Sequence, residues 1–402
     1  MIKQLLYSCR TLFICLIILQ SGFVFGQSYI TIEGVVYDEY NYPVPYASVG
    51  IVAKNIGTSS TEDGGFKFIV TNDELSDTIE ISSIGFKSLE IKVQDFIALK
   101  DKTFVLKEMI TELGEVSIEN PKDIVKKAVK KLKENTLSKK HKLGLLYRRW
   151  SVEDNICRYF IEQYMDVLDR GPSSYLMDFD VQHSRNSSDY RFIKNEQDRH
   201  AIKFMEQNNP LRNGPPMSSY SWKKIDDTFY ANEDVIVLKG TKPNGNYITF
   251  YIGFDTFKIY KIEKNSTAME IGKSLTALWI YKNNNRGKLY LSYHKRQWEG
   301  AVRTPDHVAR AMRQAGEKER NYIPISYRHE IFVLDLDNGE SKIKFKGEFE
   351  QKDMTLYKIP YDQTFWKNVS IPPETKFYKK NIGELESLYD VPIKTQFKYS
   401  NR

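Results

Sequence analysis

Gly57-Thr58-Ser59-Ser60-Thr61-Glu62-Asp63-Gly64-Gly65-Phe66 is the stretch that decides the fold of the N-terminal unit. Asp63-Gly64-Gly65 predicts a hairpin turn, because glycine supplies a positive φ at little steric cost. Downstream, Phe66, Phe68 and Val70 recur at the period of a half-buried strand. Upstream, Ala47, Val49, Ile51 and Val52 form a second strand, and Ile30, Ile32, Val35 and Val36 a first. Ile79 and Ile81, then Phe104, Val105 and Leu106, complete the set. Short strands with a turn about every 8–12 residues describe a β-sandwich. Gly34, Gly57, Gly64, Gly65 and Gly85 read as turn or bulge glycines, and Pro43 and Pro45 fix φ in a connection. Asp63 and Glu62 offer acidic oxygens to calcium, but two carboxylates without acidic neighbours favour the turn reading.

Three further motifs flank the central stretch. Ile32-Glu33-Gly34-Val35-Val36-Tyr37-Asp38 and Pro43-Val44-Pro45-Tyr46-Ala47-Ser48-Val49 precede it, and Ile81-Ser82-Ser83-Ile84-Gly85-Phe86-Lys87 lies beyond it. Together the four resemble the carboxypeptidase-regulatory-like family. The resemblance implies a prealbumin-like sandwich with an accessory role in spacing, docking or binding. Such domains stand beside carboxypeptidase catalytic domains, or at the N-termini of outer-membrane transporters and envelope proteins of Gram-negative bacteria. A fold of this kind does not fix a function.

A catalytic partner is missing from the sequence. None of His141, His183, His200, His294, His307 and His329 has Glu three residues on, so the His-x-x-Glu pair of a zinc carboxypeptidase is absent. His329-Glu330 is followed by Ile331-Phe332-Val333, not by the second histidine of His-Glu-x-x-His. No Gly-x-Ser-x-Gly elbow, Gly-x-Gly-x-x-Gly or phosphate loop occurs. The chain beyond the sandwich is too short for a transporter barrel of about 22 strands. No metal, cofactor or catalytic residue is expected.

Lys3 and Arg10, the apolar run Thr11 to Phe25, and Val24-Phe25-Gly26 before Gln27 read as a secretory signal over residues 1–26. The run is short for a membrane span, though an uncleaved anchor is the alternative. Cys9 and Cys15 would leave with it, and Gln27 stands where a lipoprotein needs Cys, so the expectation is an exported periplasmic or outer-membrane-associated protein that is not a lipoprotein. Cys157 remains, and its strand-like setting between Ile156 and Tyr159 predicts a buried thiol.

Residues 119–142 read as a basic amphipathic helix and linker. Asn120 is a suitable N-cap and Pro121 suits the first helical position. Ile124, Val125, Ala128, Val129 and Leu132 make an apolar stripe, and nine lysines from Lys122 to Lys142 face only Asp123 and Glu134. The chain's whole formal charge is +7, so its cationic excess lies here. Lys126, Lys127, Lys130 and Lys131 are candidate contacts to an anionic membrane surface. The competing reading is a solvated face whose stripe packs on the protein itself, and the stripe lacks Trp and Phe. Nucleic acid is not an expected partner.

Residues 143–402 read as an antiparallel β-rich domain with a few helices and an irregular insertion over about 173–224. Asn244-Gly245 and Asp255-Thr256 predict hairpin turns, Ala301 to Glu319 contains a helix, and 330–336 is expected to pair with 342–348. Long hairpins with a helix suggest a half-barrel similar to the lipoprotein-carrier type. Phe250, Ile252, Phe257, Ile259, Leu289 and Leu291 are then the candidate lining of an apolar-ligand cavity, or equally a filled core. The expected fold class is mainly β: a prealbumin-like sandwich over 29–118, the basic helix, then the half-barrel-like sheet. The leading functional expectation is a non-catalytic envelope module binding protein, glycan or lipid. The alternatives are a carrier of a lipid or other apolar ligand, and a glycan- or peptide-processing hydrolase using Asp178 with Asp180 or Asp335 with Asp337.

Overall fold

The structure, a computed structural model, describes residues 29–109, 120–172, 178–194, 200–202, 209, 211–212, 217–267, 272–337, 347 and 352–400. The expected signal, much of the 173–224 insertion and nearly all of the strand expected at 342–348 lie outside the described residues. The protein is mainly β.

Seven strands build the first unit: β1 (Ile30–Asp38), β2 (Ser48–Ile51), β3 (Ile56–Ser59), β4 (Gly65–Val70), β5 (Thr78–Ser82), β6 (Leu89–Lys92) and β7 (Thr103–Leu106). They form two sheets, β4-β1-β7 and β3-β2-β5-β6. Ile32, Val36, Val49, Phe66, Ile79, Phe104 and the short helix α1 (Val93–Ala98) close the core between them. Asp63-Gly64-Gly65 is a turn, but not a hairpin turn. β3 and β4 belong to different sheets, so the chain uses it to change layer. Gly64 has φ of +79°, and a Cβ there would meet the Val36 carbonyl at 2.4 Å. Layer change and close backbone approach both require glycine.

Helix α2 (Pro121–Asn135) comes next, with the Asn120 side chain accepting a hydrogen bond from the Lys122 amide. Then comes a ten-stranded sheet: β8 (His141–Glu153), β9 (Ile156–Asp169), β10 (Asp178–Asn186), β11 (Ser221–Tyr230), β12 (Glu233–Thr241), β13 (Tyr247–Gly253), β14 (Ile259–Ser266), β15 (Gly272–Asn283), β16 (Leu289–Arg303) and β17 (Tyr322–Asp337). All neighbours are antiparallel. The sheet order is β10-β9-β8-β17-β16-β15-β14-β13-β12-β11. Two sequential runs, β8–β10 and β11–β16, put β10 and β11 on opposite edges and are joined by β17, which inserts between β8 and β16. β17 pairs with β16 through Phe332 and with β8 over 325–337, and its expected pairing with 342–348 falls outside the described residues. Helices α3 (Asp306–Gln314), α4 (Gln363–Asn368), α5 (Lys376–Ser387) and α6 (Ile393–Ser400) complete the described chain.

Register separates the two faces of this sheet. One face carries the row Leu238, Phe250, Ile262 and Trp279, and α2 lies on it through Ile124, Val125 and Ala128. The other carries Val237, Tyr251, Lys261, Ile280, Tyr293, Phe332, Leu146 and Tyr164. The N-terminal sandwich and Trp366 of α4 cover this second row. Cys157 is fully buried in β9, and burial raises its thiol far above the usual range, which makes it unreactive.

Candidate functional site

The site builds up from the loop between β1 and β2. Pro43 and Pro45 stiffen it, and Tyr46 comes after them with φ of 59°, a left-handed conformation that costs a bulky residue on the order of 1–3 kcal/mol. The contacts of its ring offset that strain. Tyr46 stacks on Tyr293 of β16 with centroids 4.4 Å apart, and its hydroxyl accepts from the Lys295 ammonium at 2.9 Å.

Around this stack the sandwich is fastened to the sheet by polar bonds. Arg328 donates to Glu62 of the sandwich at 2.7 Å and to Glu330 of its own strand at 2.6 Å. Tyr293 donates to Glu330 at 2.9 Å, and Ser59 and Ser292 share a hydrogen bond of 2.5 Å. The Gly85 amide donates to the Phe229 carbonyl at 2.9 Å, and the Lys376 amide to Asp63 at 2.5 Å. Asp63, a possible calcium ligand by sequence, thus receives the first turn of α5. Burial by itself would raise the Glu330 carboxyl, but Arg328 and Arg148 outweigh it and hold it below the usual range. The network stays ionised because each buried charge has a partner.

Lys282 is a buried charge of the other kind. Between the Val44–Ser48 and Ser82–Phe86 segments of the sandwich and strands β11–β16 lies a cavity of about 420 Å³. Tyr46, Ile84, Phe86, Tyr251, Leu278 and Ile280 give it an apolar and aromatic wall. Lys282 of β15 lines it too, 8% exposed, with its amine 5.5 Å from the Tyr290 ring centroid. Among the described residues the amine has no carboxylate or hydrogen-bond partner, and burial alone lowers its pKa to about 8. Of the cavity's carboxylates, Glu263 is already held by Lys261 at 2.6 Å, and Asp226 lies on the exposed edge strand. The arrangement offers a single desolvated cation at the end of an apolar space. That suits a ligand with one acidic group and an apolar body.

The candidates drawn from the sequence fall elsewhere. Phe250, Ile252, Phe257, Ile259, Leu289 and Leu291 gather in one cluster beneath α2, on the opposite face of the sheet. None of the six lines the 420 Å³ cavity. Lys127 and Lys131 lean over the Phe257 ring at 5.7 and 4.8 Å, while Lys126, paired with Asp123, and Lys130 face solvent. Asp178 pairs with Arg170 at 2.7 Å, and Asp180 stands opposite Asp166. Asp335 and Asp337 stand opposite Gly144 and Lys142. Among the described residues no group of three or more His, Cys, Asp or Glu side chains is placed to hold a metal ion. Sequence reading missed Tyr46, Lys282, Arg328 and Glu330. The available signal was the lysine that ends the apolar and aromatic run Ala277-Leu278-Trp279-Ile280-Tyr281.

Comparison with known proteins separates the two units. Residues 32–118 match the family described as the CarboxypepD_reg-like domain. No curated protein matches the chain. Among solved structures, a LolA-superfamily protein from Nitrosomonas europaea is similar at 13% identity, covering 55% of this chain and 96% of its own, with a TM-score of 0.22. An outer-membrane lipoprotein-sorting protein domain from Vibrio parahaemolyticus gives 9% identity, 56% and 94% coverage, and a TM-score of 0.25. A DUF1329 family protein from Desulfovibrio piger gives 7%, 56% and 96%, and 0.25. The N-terminal sandwich, with its four motifs and two-layer core, is a CarboxypepD_reg-like domain.

Proposed function

We propose that this is an exported, non-catalytic binding protein of the cell envelope, whose site is the cavity between the CarboxypepD_reg-like domain and the ten-stranded sheet. Its ligand is an amphiphile with one acidic group and an apolar body, the lipid branch of the expected protein, glycan or lipid partners. The unpartnered Lys282 amine in an apolar cavity is the observation that carries this reading. An isolated buried cation is costly, and a bound carboxylate or phosphate monoester would neutralise it. Export rests on the signal-like N-terminus, and no helix among the described residues is long and apolar enough to cross a membrane.

The reading differs from the half-barrel carrier in where the ligand sits. The apolar cluster under α2 is already filled by the helix, whereas the opposite face retains open volume. It differs from a free docking module too, because the sandwich is bonded into the sheet rather than tethered to it.

The test is displacement of anilinonaphthalene sulfonate from the full chain by dodecanoate and by dodecanol. Dodecanoate should displace it at least tenfold more effectively, and Lys282→Met should abolish that preference. As pH rises through about 8 the amine loses its proton, so the preference should fade in parallel. Equal displacement by acid and alcohol, or a Lys282→Met protein indistinguishable from wild type, would remove the proposal.

A further inference from the structure

A second open space lies at the other end of the sandwich-covered face, among the C-terminal helices. It has a volume of about 580 Å³ and is walled by α4, α5, α6 and β10. Trp366, Phe397 and Tyr378 make an aromatic floor. Arg185 of β10 is held over the Trp366 ring at 4.4 Å and the Phe397 ring at 4.9 Å. Its Nε donates to Glu162 at 2.5 Å, and that same carboxylate accepts from Arg148 at 2.5 Å. Two guanidinium groups share this carboxylate, and Arg148 also faces Glu330, so the buried charges of the floor are balanced.

The cationic excess of the cleft is at its rim. Lys367, Lys394 and Lys398 line the opening and are exposed, and none has a carboxylate partner among the described residues. Among the described residues, Glu374 is the only carboxylate in the lining. Solvated surface lysines ordinarily mean little. Here they ring a cleft whose floor holds a buried arginine against aromatic rings. Aromatic surfaces suit the C–H faces of a sugar ring, and clustered cations suit phosphate.

We propose that this cleft binds a phosphorylated sugar, the phosphate between the lysines and Arg185 and the ring against the aromatic floor. The sugar phosphate is either free or the headgroup of a glycolipid, and the experiment separates the two. Calorimetric titration of the full chain would use glucosamine phosphate, glucosamine, inorganic phosphate, and detergent micelles carrying a phosphoglycolipid. Glucosamine phosphate is expected to bind at least tenfold more tightly than either fragment. Binding of the micelles alone would assign the headgroup source. The double variant Lys394→Glu/Lys398→Glu alters only exposed side chains, so it should fold normally and weaken binding at least tenfold. Lys282→Met should leave this binding unchanged, which keeps the two sites distinguishable. Inorganic phosphate binding as tightly as the sugar phosphate would show an adventitious ion only and overturn the proposal. Full affinity in the double variant, or no binding of either sugar-phosphate form, would also overturn it.

Discussion

The ten-stranded sheet is covered twice, and the two coverings are built on different principles. On one face α2 meets Ile236, Phe250, Ile262 and Trp279 through aliphatic side chains in a continuous apolar cluster. On the other the sandwich meets the sheet through Tyr46, Ser59 and Glu62, which pair with Tyr293, Ser292 and Arg328, beside an open cavity. Apolar burial is non-directional and tolerates small shifts, so it holds a helix without needing a defined geometry. Polar seams are directional, and each member left unpaired costs free energy. An unpartnered lysine is therefore informative in the second covering in a way that no residue is in the first.

The comparison breaks most visibly if the apolar side proves dispensable. Phe250 is fully buried under α2, so Phe250→Ala should cost about 3–5 kcal/mol of unfolding free energy. Chemical denaturation measures this, and a loss below about 1 kcal/mol would mean that α2 is not a structural cover. On the polar side, Arg328→Met removes one partner of a buried pair and leaves Glu330 to Tyr293 and Arg148. It should cost about 3 kcal/mol, toward the lower limit for such a break because Glu62 remains partly solvated.

Lys282→Met sharpens the contrast, because it should behave opposite to Arg328→Met. Removing an unpaired buried cation should leave stability unchanged or raise it by about 1 kcal/mol. Its pH dependence has a definite sign. The folded amine has a pKa of about 8, below the ordinary lysine value of 10.5, so between these values the unfolded chain binds more protons. Stability contributed by this group therefore rises with pH across that window, and the penalty is fully present below about pH 8. Wild type should gain stability relative to Lys282→Met from about pH 8 to about pH 10. A flat difference would mean that the amine is paired or solvated.

The two coverings are also unequally legible in the sequence. The Asn120 cap, the stripe residues Ile124, Val125, Ala128 and Leu132, and the apolar residues beneath them obey local rules of periodicity and capping, and the structure places them accordingly, while Val129 of the expected stripe is exposed. The alternating strands and the Asn244-Gly245 turn are readable for the same reason. The seam is not. Glu62 and Arg328 are 266 residues apart, and Ser59 and Ser292 are 233 apart. Polar residues at alternate strand positions read as solvent-facing until something is known to cover them. The six apolar residues, read as a cavity lining or equally as a filled core, show the converse limit. Periodicity finds a buried face, but whether a helix or a ligand fills the space depends on how a distant segment folds back.

The smallest expected effect concerns the outer face of α2. Lys126 pairs with Asp123 at 2.9 Å on the surface, and Lys130 is exposed. Surface pairs of this kind contribute about 0–1 kcal/mol, and exposed substitutions usually stay within about 0.5 kcal/mol. Lys126→Glu/Lys130→Glu should therefore unfold at nearly the wild-type denaturant concentration. The same variant reverses two charges in the most cationic part of the chain, and each basic residue near an anionic bilayer contributes about 1 kcal/mol of attraction. Co-sedimentation with phosphatidylglycerol vesicles at low salt separates the two readings of this helix. If wild type sediments and the variant does not, with unchanged stability, the lysine face contacts membrane while the apolar face packs on the sheet. If neither sediments, the lysines serve only to solvate the helix, and α2 belongs wholly to the apolar covering.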